Sequence, residues 1–290
     1  MSNQQRKWLY LIVLSLVWGS SFILMKKALI SISPIQVAAL RTFFAAIFVI
    51  LVGFKSLRKI KKRHWKYVFL SALVGTFFPA FLFAYAIKGI DSSIASILNS
   101  LTPFNTFIIG ALVFGFAFNK KQFIGIFIGL IGTLILILKG ADLNPNQNYW
   151  YALLPIISSV GYAFNVNIIK KHLHELDGLT ITTGHFLLVI IPVIMILGCT
   201  GFFTEFELNF ETKSALLYIV VLALLGTAMA KVIFNDLVHI SSPIFASSVT
   251  YLIPIVAVIW GIIDGEKLGV IQLLAGGIIL LGVWMTNRAK

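Results

Sequence analysis

Long apolar runs recur from one end of the chain to the other, and many are interrupted near their middle by a hydroxyl, an amide or a proline. Ten can be drawn, at 8–29, 34–54, 66–87, 92–116, 121–139, 149–169, 179–202, 213–238, 242–263 and 268–286. Each is about 18–25 residues, the length of helix that crosses a hydrocarbon core of about 30 Å. The runs lack period-two alternation and are too long for barrel strands, which excludes a β-barrel. The expected fold is an all-α polytopic membrane protein with ten transmembrane helices. The first run follows Arg6-Lys7 as in a signal peptide, but no small-x-small cleavage pattern precedes Lys26-Lys27. A retained helix is therefore expected there.

The polar interruptions repeat. Ala95-Ser96-Ile97-Leu98-Asn99-Ser100-Leu101-Thr102-Pro103 has a counterpart in Ala246-Ser247-Ser248-Val249-Thr250-Tyr251-Leu252-Ile253-Pro254. Without a gap, 72–103 aligns on 223–254 and keeps Gly75, Thr76, Phe83, Ser96 and Pro103 in register. With small slips, Gln122 matches Gln272, Gly132 matches Gly282, Gly19 matches Gly161 and Phe22 matches Phe164. Five spans per half is an odd number, so a second copy must enter the membrane upside down. The expectation is two inverted five-helix repeats, 1–140 and 141–290, a layout typical of secondary transporters.

Charge then sets the orientation. With the N-terminus inside, one side holds Arg6, Lys7, the run Lys55, Arg58, Lys59, Lys61, Lys62, Arg63 and Lys66, then Lys120, Lys121, Lys170, Lys171, Arg288 and Lys290. The other side holds Lys26, Lys27, Lys88, Lys139, Lys213 and Lys267. Fifteen against six puts both termini in the cytoplasm by the positive-inside rule. The same loop charge accounts for the net +13 in a chain that is 59% hydrophobic and 11% charged, so no nucleic-acid partner is expected. One cysteine, Cys199, precludes an internal disulfide.

Several polar side chains fall within spans. Ser92, Ser96, Asn99, Pro103 and Thr106 share one helical stripe, and Ser247, Thr250, Tyr251 and Pro254 form another. Each proline removes a backbone bond, freeing the carbonyls of Asn99 and Thr250 near mid-span. Such groups need a neighbouring helix, a hydroxyl or a watered cavity. Helix–helix hydrogen bonding and a central cavity both satisfy them, and the mirrored placement favours the cavity. Arg41 and Lys231 are intramembrane cations, hence functional candidates or snorkelling side chains. Lys231 shares a face with Thr227 and Asn235, and its repeat position holds Ala80 beside Pro79, so a one-sided cation suits a carboxylate or another anion. Asp236 lies about 140° round the helix from Lys231, which argues against a direct pair. Ser158, Tyr162 and Asn165 form a further stripe, with Trp18 and Ser21 in the matching region of the first span. Glycines 125, 129 and 132 and glycines 276, 277 and 282 form small-residue faces for close packing, within one protomer or across a homodimer. His172 and His174 have no third ligand nearby, so neither a metal nor another cofactor is expected.

Taken together, Trp18-Gly19-Ser20-Ser21-Phe22, Arg41, the proline-centred fourth and ninth spans, and the Gly265-Glu266 turn before Leu268-x-x-x-Gln272 resemble the EamA family of the drug/metabolite transporter superfamily. The resemblance covers nearly the whole chain. In the first half Gly115-Phe116 stands where Gly265-Glu266 stands in the second, so the acidic turn is missing from one copy. The resemblance implies a substrate cavity between spans 1, 3, 4, 6, 8 and 9, with spans 5 and 10 peripheral. It also implies export of amino acids or related metabolites across a bacterial inner membrane. The candidate cavity residues are Trp18, Ser21, Arg41, Thr76, Pro79, Ser96, Asn99, Pro103, Tyr162, Asn165, Thr227, Lys231, Ser247, Thr250, Tyr251 and Pro254.

Other classes fare worse against the residues. The chain has no GxxxxGK[ST] phosphate loop, which argues against ATP drive within it. An intramembrane enzyme acting on lipid or peptide needs a nucleophile paired with a base or an acidic metal cluster. The ten acidic residues do not cluster within any span. A structural or sensory membrane protein has no need of a mirrored polar midplane.

Overall fold

The computed structural model describes residues 2–115, 120–143, 146–205 and 209–288, and every regular element among them is helical. In chain order the long helices are α1 (Asn3–Ala28), α2 (Pro34–Lys59), α3 (Lys62–Gly89), α4 (Ser92–Phe114), α5 (Lys120–Leu143), α6 (Tyr149–His172), α7 (Gly178–Cys199), α8 (Phe210–Ile240), α9 (Pro243–Ile263) and α10 (Val270–Arg288). Eight of them are long and apolar enough to cross a membrane. The other two, α5 and α10, carry shorter apolar stretches, Phe127–Lys139 and Val270–Gly282. Phe116 and Lys290 lie outside the described residues, as do the side chains of Lys120, Lys121, Gln122 and Arg288.

Local chemistry sets the helix starts. Pro34 and Pro243 open α2 and α9 behind Ser33 and Ser242, positions where the missing N–H costs nothing. Asp177 caps α7 by accepting from the Thr180 N–H at 2.8 Å, and Asp236 reaches across from α8 to accept from the Gly178 N–H at 2.8 Å. That answers what Asp236 does: it serves a helix N-terminus, whose partial positive charge favours a carboxylate. Gly178 must be glycine, because a Cβ there would sit 2.5 Å from Asp236 Oδ1. His172 ends α6 with its ring stacked on Tyr67 at 3.9 Å between ring centres.

Four helices depart from regular geometry near their middles, and the departures build the site. Leu73–Phe77 in α3 and Leu222–Met229 in α8 are π-helical, and they contain the aligned pairs Gly75-Thr76 and Gly226-Thr227. In α4 the helix breaks at Ser100 and Leu101, whose N–H groups bond three residues back, and it restarts at Thr102 with Pro103 in its first turn. In α9 the break comes at Ser248, while Pro254 stays inside the helix that follows. Both helices end on a left-handed glycine, Gly115 and Gly265, each with φ +83°.

Outward-facing positions are apolar, with Leu51, Leu112, Ile191 and Ile263 among the exposed side chains. A lipid-facing surface requires this, since hydrocarbon cannot pair polar groups. The glycine faces of α5 and α10 pack on each other: a Cβ on Gly282 would sit 2.6 Å from the Gly125 carbonyl, and one on Gly132 would meet Ile279 at 2.9 Å. Small residues are what let two helix backbones approach this closely.

Candidate functional site

A cavity enclosing about 910 Å³ of empty space, open solvent at its mouth included, lies between the helices of the bundle. It is lined by Trp18, Ser21, Phe22 and Met25 of α1, Arg41 and Thr42 of α2, Gly75, Thr76, Ala80 and Phe83 of α3, and Asn99 and Thr102 of α4. Tyr162 of α6, Gly226, Thr227, Lys231 and Phe234 of α8, and Ser247, Thr250 and Ile253 of α9 complete it. Six of these pairs are separated by the same 151 positions: Gly75 and Gly226, Thr76 and Thr227, Ala80 and Lys231, Phe83 and Phe234, Asn99 and Thr250, Thr102 and Ile253.

The helix irregularities explain the polar part of the lining. In a regular helix the Gly75 carbonyl would accept from the residue four positions on, which is Pro79 and has no N–H. The Lys231 ammonium takes that carbonyl instead. The Gly226 carbonyl loses its partner differently: within the π segment the Ala230 N–H turns to Leu225 and Thr227. Trp18 Nε1 then donates to Gly226 at 2.9 Å. Repeat-related glycine carbonyls are thus freed by two devices, and each is filled by a donor at the cavity wall. Glycine is needed at the first, where a Cβ would fall 2.2 Å from Asn165 Cγ.

Arg41 Nε donates to Thr227 Oγ1 at 2.6 Å, which fixes the guanidinium at the cavity. Lys231 is almost fully buried, with its ammonium 5.9 Å from the centre of the Tyr162 ring, a favourable cation–π geometry. Both intramembrane cations therefore face the cavity and do not snorkel. The apolar wall is aromatic, with Trp18 and Phe234 at 5.1 Å, Phe22 and Phe83 at 5.6 Å, and Phe83 and Tyr162 at 6.2 Å between ring centres.

Of the sixteen candidate residues, Trp18, Ser21, Arg41, Thr76, Asn99, Tyr162, Thr227, Lys231, Ser247 and Thr250 line the cavity, and six do not. Pro79, Pro103 and Pro254 shape the backbone of the helices that line it. Ser96 turns back on its own helix, donating to the Ser93 carbonyl at 2.7 Å. Asn165 lies behind the wall, accepting from Ser71 Oγ at 2.7 Å, and Ser71 also meets His185 Nε2 at 2.9 Å. Tyr251 packs against the hydrophobic core. The Asn99 carbonyl, expected to be on offer to the cavity, is instead taken by Thr102 Oγ1 at 2.7 Å. Phe22, Met25, Thr42, Gly75, Ala80, Phe83, Thr102, Gly226, Phe234 and Ile253 also line the cavity and were not among the candidates.

At one end of the bundle an ionic cluster around the buried Glu266 ties three segments together: the end of α1, the start of α4 and the α9–α10 turn. Glu266 Oε1 accepts from Ser92 N at 3.1 Å, Ser92 Oγ at 2.6 Å and Lys26 Nζ at 2.9 Å. Its Oε2 accepts from Ser93 N at 3.1 Å and Ser93 Oγ at 2.5 Å. Asp264 pairs with Lys26 at 2.7 Å and with Lys27. Burial would raise the Glu266 pKa, but the hydrogen bonds from Ser92, Ser93 and Lys26 outweigh it and hold the carboxyl below its ordinary range. Glu266 thereby caps α4 from the α9–α10 turn. At the other end Arg63 and Glu175 pair at 2.6 Å and Lys59 and Asp177 at 2.6 Å, all substantially exposed and so of small energetic worth.

A helical membrane bundle whose long helices break around a central cavity has the architecture of a membrane transporter. The model of the EamA-like transporter family matches residues 6–138 and 149–288, and the chain belongs to that family. The uncharacterized inner membrane transporter YedA of Escherichia coli K12 is 28% identical, with 97% of this chain and 90% of the relative covered. An uncharacterized transporter of Archaeoglobus fulgidus is 27% identical over 97% of both chains, and the protein PecM of Dickeya dadantii is 27% identical over 94% and 92%. A solved structure described as "Crystal structure of protein" superposes with a TM-score of 0.68 at 16% identity, covering 99% of this chain and 98% of its own, which is a likeness of fold.

Proposed function

We propose that the chain is a secondary transporter that exports small metabolites, amino acids and related carboxylate-bearing compounds, by alternating access through the central cavity. The observation that carries the proposal is the set of six lining pairs at one constant offset. Such pairing is what two inverted five-helix repeats, 1–140 and 141–290, produce around a shared midplane site. In this reading all ten helices cross the bilayer, with α5 and α10 on the flank. The broken helices α4 and α9 are the walls that move as the halves rock. Both termini face the cytoplasm in this reading, which the fifteen-to-six distribution of Lys and Arg supports, and the membrane is a bacterial inner membrane. Gly277 meets nothing within 4 Å and leaves part of the α10 face free for a second copy in a homodimer.

The test is counterflow into proteoliposomes preloaded with unlabelled solute, run across a panel of amino acids and organic acids. Trans-stimulated uptake of at least one solute is expected. Uptake indistinguishable from empty liposomes across the panel would refute the carrier reading.

A further inference from the structure

The cavity holds two cationic side chains and no acidic one among the described residues that line it. Arg41 enters from α2 and Lys231 from α8, and Thr227, one helical turn before Lys231, holds the Arg41 guanidinium. Among the described residues neither charge has a carboxylate partner. A guanidinium carries five N–H donors, and among the described residues Arg41 finds one acceptor, Thr227 Oγ1. Lys231 has the Gly75 carbonyl and the face of Tyr162, both neutral. Three acids of α8 and the α9–α10 turn are engaged elsewhere: Asp236 with the Gly178 N–H, and Asp264 and Glu266 with Lys26, Lys27 and the start of α4. Two uncompensated cations inside a membrane protein are costly, and a site that keeps them is built for negative charge.

From this we infer that the cavity selects organic dianions, two carboxylates on a short apolar body, over zwitterionic amino acids. The inference rests on the carrier function proposed above and, among the carboxylate-bearing solutes named there, ranks dianions ahead of amino acids. Each cation can take one carboxylate, Arg41 as a fork and Lys231 as a point charge. The aromatic wall formed by Trp18, Phe83 and Phe234 suits the carbon chain between them. An α-ammonium group meets only neutral acceptors in this lining and adds a third positive charge to the site. Rejection of the like charge supplies the discrimination.

Glutarate and glutamate differ by that ammonium group alone, which makes them the decisive probes. In counterflow with the wild-type protein, labelled glutarate is expected to enter roughly tenfold faster than glutamate at equal concentration, with leucine slower still. Arg41→Gln and Lys231→Gln should each cut glutarate uptake by roughly tenfold, and Lys231→Arg should restore part of it. Thermal stabilisation of the detergent-solubilised protein by glutarate and not by leucine would report the same preference without flux. Uptake of glutamate or leucine equal to or above that of glutarate overturns the inference and leaves the carrier reading standing. Absence of uptake for every solute refutes both.

Discussion

Replacing Glu266 by glutamine keeps the shape of the side chain and removes its charge, which isolates what the carboxylate does for the end of the bundle. One amide oxygen can still accept from Ser92, but the amide nitrogen cannot accept from the Ser93 N–H or hydroxyl, both of which now bond Oε2. Ser93 is fully buried, so its N–H is left without an acceptor, at a cost of about 1–3 kcal/mol. Loss of charge on the remaining bonds adds to this. The Lys26 ammonium keeps Asp264 at 2.7 Å and is partly exposed, so its share is small. The sum is about 2–4 kcal/mol, which corresponds to a fall in Tm of roughly 5–10 °C. Thermal unfolding of purified protein in detergent at pH 7 measures it directly.

The pH dependence carries a sign that can be checked. Glu266 is held below its ordinary value of 4.5, so its contribution is present above that pH and lost as pH falls through the folded-state value. The gap in Tm between wild type and Glu266→Gln should therefore be full at pH 7 and narrow below pH 4.5. Asp264, which burial would raise but Lys26 and Lys27 hold below its ordinary value, is present in both proteins. Equal Tm values at pH 7, or a gap that widens in acid, would refute the capping role assigned to Glu266.

Other perturbations follow from close contacts in the helices that shape the site. Gly75→Ala places a methyl 2.2 Å from Asn165 and should cost about 1–3 kcal/mol by overpacking, whereas Gly277→Ala meets nothing within 4 Å and should leave Tm unchanged. Gly178→Ala should likewise lower Tm, because its Cβ would fall 2.5 Å from both Asp236 Oδ1 and the Val232 carbonyl. Trp18→Phe removes the donor to the Gly226 carbonyl while keeping an aromatic ring, and should destabilise by about 1–3 kcal/mol, read in the same unfolding assay.

The helices were legible because apolarity over twenty residues is a local property, and so was the 151-residue repeat. The placement of Arg41 and Lys231 inside apolar helices was legible too. Their orientation was not, because snorkelling and cavity-facing rotamers share one sequence position. The cavity decides it through partners on other helices, Thr227 for Arg41 and Gly75 for Lys231. The π segments were hidden for a different reason: one extra residue per turn leaves an apolar pattern unchanged. Only the retained glycine-threonine pairs marked the place. The prolines were noticed, yet Pro79 proves informative through the carbonyl it strips of a partner rather than through any contact of its own. Gly265-Glu266 stood out as a motif, but its partners Ser92 and Ser93 lie about 170 positions away and could not be read from spacing.

Whether the cavity is the transport path is tested most directly by closing it from both halves at once. Asn99 and Thr250 are repeat-related, both line the cavity, and both are short enough that leucine at each position narrows it with apolar bulk. Counterflow by the Asn99→Leu, Thr250→Leu double variant, reconstituted at the same density and with a Tm close to that of the wild type, should fall to the level of empty liposomes. Flux at the wild-type rate from a folded double variant would contradict the assignment of this cavity as the pathway.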